Sequence, residues 1–528
     1  MGRDRVAAVR KSHWLPILLG CVPLGCAGGA PGVVAQSSAH AAASEAGGAP
    51  AAPLALGPGE VAELHVGSDG SVEERIATPS GAERFVLIVA STRFDATAAP
   101  ASYSLELGAA EPSGASRLVT GCALGPDAWR GVAVSLEPAP TGEGPALGLR
   151  RTLSVMTSDQ ATKIDSEVVS VGPHATVIRD LTNPTTLDGA FAEQFRNDFE
   201  TVIMPRARQV FGTESDIDGN GRVELVFSRL TKTHGVAFFS ACDLLGSLEG
   251  CPASNRGEFL YLTPPDAIAP PYNTPNAIKE ILTHELSHLL HFNRKVLHNH
   301  LSAWTDTVYA SEGIGALAQD VVGFQAGNLY VAKAGLDGID GFSLADVLDR
   351  RRRAGAVDGV LRGASYLFFR YLYDRAGGDQ AVGSDVQSRG GPAFLRALLD
   401  APESVAEALP RVAAAPTAEL ALDFYTALAV SNREDIGFAA PANACFGYQP
   451  ISKDPVTTKQ RGTNLFAQFH GMRMAGPRVA AASAADGELL VGGVEYLSLD
   501  GAAGQPDLGL RLRVDPSAAP RVRVARWK

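Results

Sequence analysis

A chain of 528 residues is long enough for three or four domains of roughly 150 residues each, and for a full-sized buried core. Its 45% apolar and 20% charged content fits a soluble globular protein and excludes disorder throughout. A net charge of −11 excludes an extended nucleic-acid surface, which needs clustered Lys and Arg to neutralise phosphates.

Residues 1–26 read as an export signal. Arg3, Arg5, Arg10 and Lys11 precede the apolar stretch "WLPILLGCVPLGC". With Pro16 and Pro23 inside, that stretch is too short to span a bilayer, which takes about 20 residues. "LLGC" ending at Cys21 and "PLGC" ending at Cys26 both resemble a bacterial lipobox, whose cysteine is lipidated after cleavage. A plain secretory signal is the other reading. Both readings place the mature chain in the cell envelope or outside the cell, where disulfides persist; on the lipobox reading an N-terminal lipid anchor is its only membrane contact.

Residues 27–58 are Ala, Gly, Ser and Pro with few large apolar side chains, a flexible linker. Over 59–150 come "RFVLIVAS" from Arg84, the alternating Tyr103, Leu105 and Leu107, and "VAVSL" from Val132. Gly, Pro and Ser turns divide these runs, which predict a small β-sandwich.

From 151 to 450 helical spacing dominates. Leu187, Phe191, Phe195, Phe199, Val202 and Ile203 predict an amphipathic helix ending near Pro205, and "RVELVFSRL" from Arg222 predicts a strand. Thr274 and Pro275 make an N-cap and first-turn pair for a helix over 275–293. Further helices are predicted near 306–322, 343–353, 364–375, 393–400 and 416–430. The basic run at 350–353 reads as a solvated helix C-terminus. Strands return over 451–528, most clearly at Leu508, Leu510, Leu512 and Val514. Cys242 and Cys251 bracket the loop "DLLGSLEG" and can close it; Cys122 and Cys445 would then pair across distance or stay free.

The 275–293 helix contains "THELSHLLHF", with three of the chain's eleven histidines. His284 and His288 lie four apart, so one helix face presents both imidazoles, the bite that a tetrahedral Zn²⁺ requires. Glu285, about 100° round the helix, is placed to act on a water bound to that ion. Zinc lowers the pKa of such a water to about 7, and a carboxylate can take its proton as it attacks a carbonyl. His291 shares the face, but one straight helix rarely wraps three ligands around an ion. A third histidine at metzincin spacing is excluded, because Arg294 stands there. Glu312, in "YASEGIGALAQD" on a second predicted helix, completes a His, His, Glu set.

"DIDGNG" places oxygen donors at Asp216, Asp218 and Asn220 with Gly221 at the turn. Phe227 stands where an EF-hand would end in Glu. The stretch therefore reads either as a tight turn feeding a strand or as a partial Ca²⁺ site.

"HELSH" followed by "SEGIGALAQD" resembles the gluzincin metallopeptidases, and the order of four stretches resembles the hyicolysin-like secreted and lipoprotein metallopeptidases of bacteria. Those stretches are "SDIDGNGRVELVF", "HGVAFFSACD", the zinc helix and "SYLFFRYLYD", together covering about 165–375. The resemblance implies an α+β fold: a mostly helical, zincin-like gluzincin catalytic domain between a small β-sandwich and a β-rich C-terminal region. It implies zinc held by His284, His288 and Glu312, Glu285 as base, and a polypeptide as substrate. It also favours Tyr366 as oxyanion donor over His298, His300 and Tyr309, although Tyr366 on "YLFFRYLY" also reads as a core aromatic. Ser311 stands where the family usually has Asn, and Ala316 where some members have Asp, which leaves the hydrogen bonds behind the ligands open. A different class of function, a surface binding or adhesion lipoprotein on a catalytically silent gluzincin fold, is the alternative; Glu285 speaks against it.

Overall fold

Alternating buried and half-exposed positions along Ser71–Ala77 show a strand with one face on a core, and Asp507–Val514 is its neighbour. The two come from opposite ends of the chain. The structure is a computed structural model describing residues 52–528 apart from 113–114, 126–127, 159, 246–250, 252, 302–303, 326, 352, 354, 434–442, 467, 470–471 and 483–484. The predicted signal over 1–26, with Cys21 and Cys26, and most of the 27–58 linker lie outside the described residues.

The chain is mixed α and β. One sheet has the order Ala485–Leu489, Ala101–Leu107, Asp507–Val514, Ser71–Ala77. The facing sheet has the order Ala480–Ala481, Val494–Asp500, Arg84–Ser91, Pro520–Arg526, Val61–Leu64, Arg117–Leu118. The strands expected as an N-terminal sandwich and a separate C-terminal region therefore interleave in one sandwich. Local alternation identifies strands but carries no information on partners this distant in sequence.

"RFVLIVAS" explains how the sandwich joins the rest. Phe85, Leu87 and Val89 face the core between the two sheets, whereas Val86, Ile88 and Ala90 face the large core that holds the helices. A strand buried on both faces reads as a continuous apolar run. "VAVSL", by contrast, forms no strand; Val132 and Leu136 are exposed, so no partner rewards the extended backbone.

A second six-stranded sheet follows, ordered Ala237–Phe239, Glu258–Leu262, Val223–Phe227, Ala175–Asp180, Ala161–Val171, Arg150–Met156. Glu258–Leu262, Val223–Phe227 and Ala175–Asp180 run parallel, the other pairs antiparallel. Helix Gly189–Asp198 does not end at Pro205. A π turn, Phe199–Ile203, resets the register, so Pro205 enters the first turn of a new segment, Met204–Phe211, where its missing N–H costs nothing.

Thr274 caps helix Pro275–Phe292 by accepting from Ala277 N, with Pro275 in the first turn. This motif helix packs between edge strand Ala237–Phe239 and helix Val308–Val321. Helices Asp358–Arg375, Gly391–Asp400 and Thr417–Val430 stand near their predicted places; Asn328–Asp337 and Val405–Val412 were not anticipated. Helix Ala345–Leu348 is shorter than predicted, because Arg351 and Arg353 pair with Asp349 and Asp346 instead of continuing it. Cys242 bonds Cys251 and Cys122 bonds Cys445, the second closing a loop over a separation of 323 residues.

Candidate metal centre

His284 and His288 lie one turn apart, their rings 4.7 Å between centroids and nearly perpendicular. What holds them is on neighbouring turns and helices. His284 Nδ1 lies 3.0 Å from Gln319 Oε1, and Gln319 Nε2 donates to Glu280 Oε1. The carboxylate fixes which way the amide points, so its oxygen faces His284, and Nδ1 carries the proton. Glu280 is itself held by Gly327 N and Asn328 N. On the next turn, His288 Nδ1 lies 3.0 Å from Ser311 Oγ. Both Nε2 atoms therefore point the same way.

They point at Glu312. Its Oε2 is 3.2 Å from His284 Nε2, and its Oε1 is 3.8 Å from His288 Nε2. His288 Nε2 is buried and has no hydrogen-bond partner. Burial, and then the charge on His284, pushes His288 down to about 3, so this nitrogen offers a lone pair. Burial raises the Glu312 carboxyl, but its His284 hydrogen bond and the Arg362 guanidinium outweigh that and hold it at about 2. Two imidazole nitrogens and an ionised carboxylate converging around an unpartnered lone pair fit a metal ion. One ligand atom each from His284, Glu285 and His288 also lie within 4.8 Å of one another, a group that could hold such an ion.

Glu285 faces the edge strand. Phe239 N donates to its Oε2 at 3.0 Å, and burial pushes its carboxyl up to about 7. A base poised near neutrality is what proton transfer at physiological pH requires. The close approach of the motif helix to helix Val308–Val321 needs Gly315, since a Cβ there would lie 2.7 Å from His284 Nε2.

Ser311 and Gln319 supply the hydrogen bonds that the Ser-for-Asn and Ala316 departures left open. Gln319→Ala and Ser311→Ala are each expected to weaken metal affinity by roughly 10- to 100-fold, read by competition against a chelating dye.

Tyr366 does not reach the centre. It is fully buried, with its hydroxyl 2.9 Å from both Asp320 Oδ2 and Gln325 Oε1, so the core-aromatic reading applies. One turn earlier on the same helix, Arg362 does reach it. Its Nη1 contacts Glu312 Oε2, and its Nε donates to Asp358 Oδ2 at 2.7 Å. Helical spacing places 362 and 366 on one face but does not say which end of the helix meets the site. Tyr309 contacts Asp358, and His298 and His300 are exposed. His291 is fully buried against Asp306 and Trp304, away from the convergence.

In the acidic turn, Asp216 and Asp218 gather with Glu258, a residue the local motif did not include. Asn220 closes the turn: its Oδ1 accepts from Arg222 N, and its Nδ2 donates to Asp218. Glu258 comes from a strand 40 residues beyond Asp218, a distance no local motif covers.

No family model matches this chain, and no curated protein matches it.

Proposed function

We propose that the chain is an exported zinc-dependent metallopeptidase with a gluzincin-type catalytic unit, cleaving peptide bonds within polypeptides. The carrying observation is the unpartnered Nε2 of His288 facing Glu312 and His284, with Glu285 beside them. Bound zinc would supply a Lewis acid that activates water and polarises the scissile carbonyl.

The chain's own residues do the rest. Gln319 and Ser311 hold the two imidazoles in the tautomers that present Nε2. Glu285, held by Phe239 N, accepts a proton from the attacking water and returns it to the departing amine nitrogen. Arg362, about a quarter exposed beside Glu312, is the donor that meets the developing oxyanion in place of Tyr366. Strand Ala237–Phe239 is the edge of its sheet, so an extended polypeptide can lie along it with its carbonyl toward Glu285. Two disulfides support export.

Arg362→Ala is expected to keep zinc and lose roughly 10²- to 10³-fold in kcat. An unchanged kcat would remove Arg362 from the reaction. One observation favours the silent binding-protein reading: Arg362 already places a positive charge on Glu312, so the centre is compensated without metal. Zinc content together with hydrolysis of a fluorogenic peptide pool, before and after chelation, tests between them. Zinc-dependent cleavage supports the peptidase; zinc without cleavage, or no zinc, supports the binding protein.

A further inference from the structure

The acidic turn meets a buried glutamate at one end of the second sheet. Glu258 opens strand Glu258–Leu262 and sits opposite Val223 of the parallel neighbour into which the turn feeds. Asp216, Asp218 and Glu258 each bring a carboxylate oxygen within 4.8 Å of the other two. Backbone groups hold them there against their mutual repulsion: Ile217 N donates to Glu258 Oε1 at 3.1 Å, Gly221 N to Asp216 at 2.9 Å, and Asn220 N to Asp218 at 3.2 Å.

Among the described residues, no cation is paired with these three carboxylates. The guanidinium that acts on Asp218, that of Arg151, is paired with Glu224. Glu258 is fully buried, and its Oε2 has no hydrogen-bond partner. The Ser215 hydroxyl is close enough to act on Glu258, but neither its Oγ nor Glu258 Oε2 has a well-aligned hydrogen-bond partner. A buried carboxylate without a paired counter-charge is costly to keep, and here Glu258 adjoins two further carboxylates.

We propose that Asp216, Asp218 and Glu258 bind a Ca²⁺ ion at a structural site separate from the histidine centre. The donors are all hard oxygens, with no imidazole or thiolate, which excludes the preferences of zinc. They come from a turn and a strand end, not from a rigid octahedral cage, which suits the flexible coordination of Ca²⁺ better than that of Mg²⁺. The ion ties the turn after helix Met204–Phe211 to the strand between the metal centre's edge strand and Val223–Phe227.

The test titrates CaCl₂ into the full chain, prepared in calcium-free buffer with zinc present, by calorimetry and by thermal unfolding. The expected result is saturable binding that raises Tm, at least about tenfold weaker in Glu258→Gln, with zinc content equal in both. Without Ca²⁺, Glu258→Gln should be no less stable than the parent, because it relieves like-charge repulsion. Absence of Ca²⁺ binding in the parent, equal affinity in parent and variant, or a larger Tm shift with Mg²⁺ overturns the proposal. If Glu258→Gln does not fold, Asp218→Asn, on the exposed side of the turn, carries the same comparison.

Discussion

Glu285→Gln is expected to retain the parent's zinc content and lose roughly 10²- to 10⁴-fold in kcat/KM for peptide hydrolysis. The amide keeps the size of the carboxyl and still accepts from Phe239 N, so neither the edge strand nor the motif helix has cause to move. His284, His288 and Glu312 keep their partners, since none of their hydrogen bonds involves Glu285. What is lost is the ability to take a proton. The fold should not suffer, because burial already disfavours the charge on Glu285. Zinc analysis beside initial rates on a fluorogenic peptide separates the outcomes. A variant that cleaves like its parent would show that the base lies elsewhere, and loss of zinc would show that Glu285 is a ligand.

The largest effect on stability is expected from Gly363→Ala. Helices Asn328–Asp337 and Asp358–Arg375 cross with their main chains in contact: a Cβ on Gly363 would lie 1.8 Å from Val331 O, and one on Gly335 2.5 Å from Ala364 N. No rotamer relieves a clash with backbone, so the helices must separate. Overpacking of this kind costs about 3 kcal/mol or more, against a gain of about 1 kcal/mol in helix propensity. Gly359→Ala is the control on the same helix. Nothing lies within 4 Å of its added methyl, so propensity alone should leave stability equal or slightly higher. Chemical denaturation of both variants checks the sign. Equal destabilisation would show that the crossing tolerates a methyl group.

How much of this was legible beforehand follows the range of the physics. The motif helix was readable because its cap, first-turn proline and histidine spacing all lie within 20 residues. Glu312 was readable as the glutamate of a second predicted helix, and the resemblance of its surrounding stretch pointed to the same residue. Gln319 and Glu280 form one hydrogen-bonded chain to His284, yet they stand 39 residues apart and carry no local pattern. Arg362 was hidden because helical periodicity orients a face without fixing its height, and Tyr366 stood in its place because the resemblance favours a tyrosine downstream of the glutamate. Glu258 was hidden because parallel pairing brought it opposite a strand reached through a long connection. The sandwich was recognised as strands but not as one object, because the two ends of the chain give no sign of each other.

The run at Arg84–Ser91 has both of its strand neighbours, Val494–Asp500 and Pro520–Arg526, more than 400 residues further along. As the chain is made, this largely apolar stretch emerges early and waits for partners that emerge last. Whatever folds in between must do so with an unsatisfied edge nearby, at risk of pairing with another copy. The protein should therefore depend on a holding chaperone during its synthesis, and a truncation near its C-terminus should aggregate rather than lose one module cleanly.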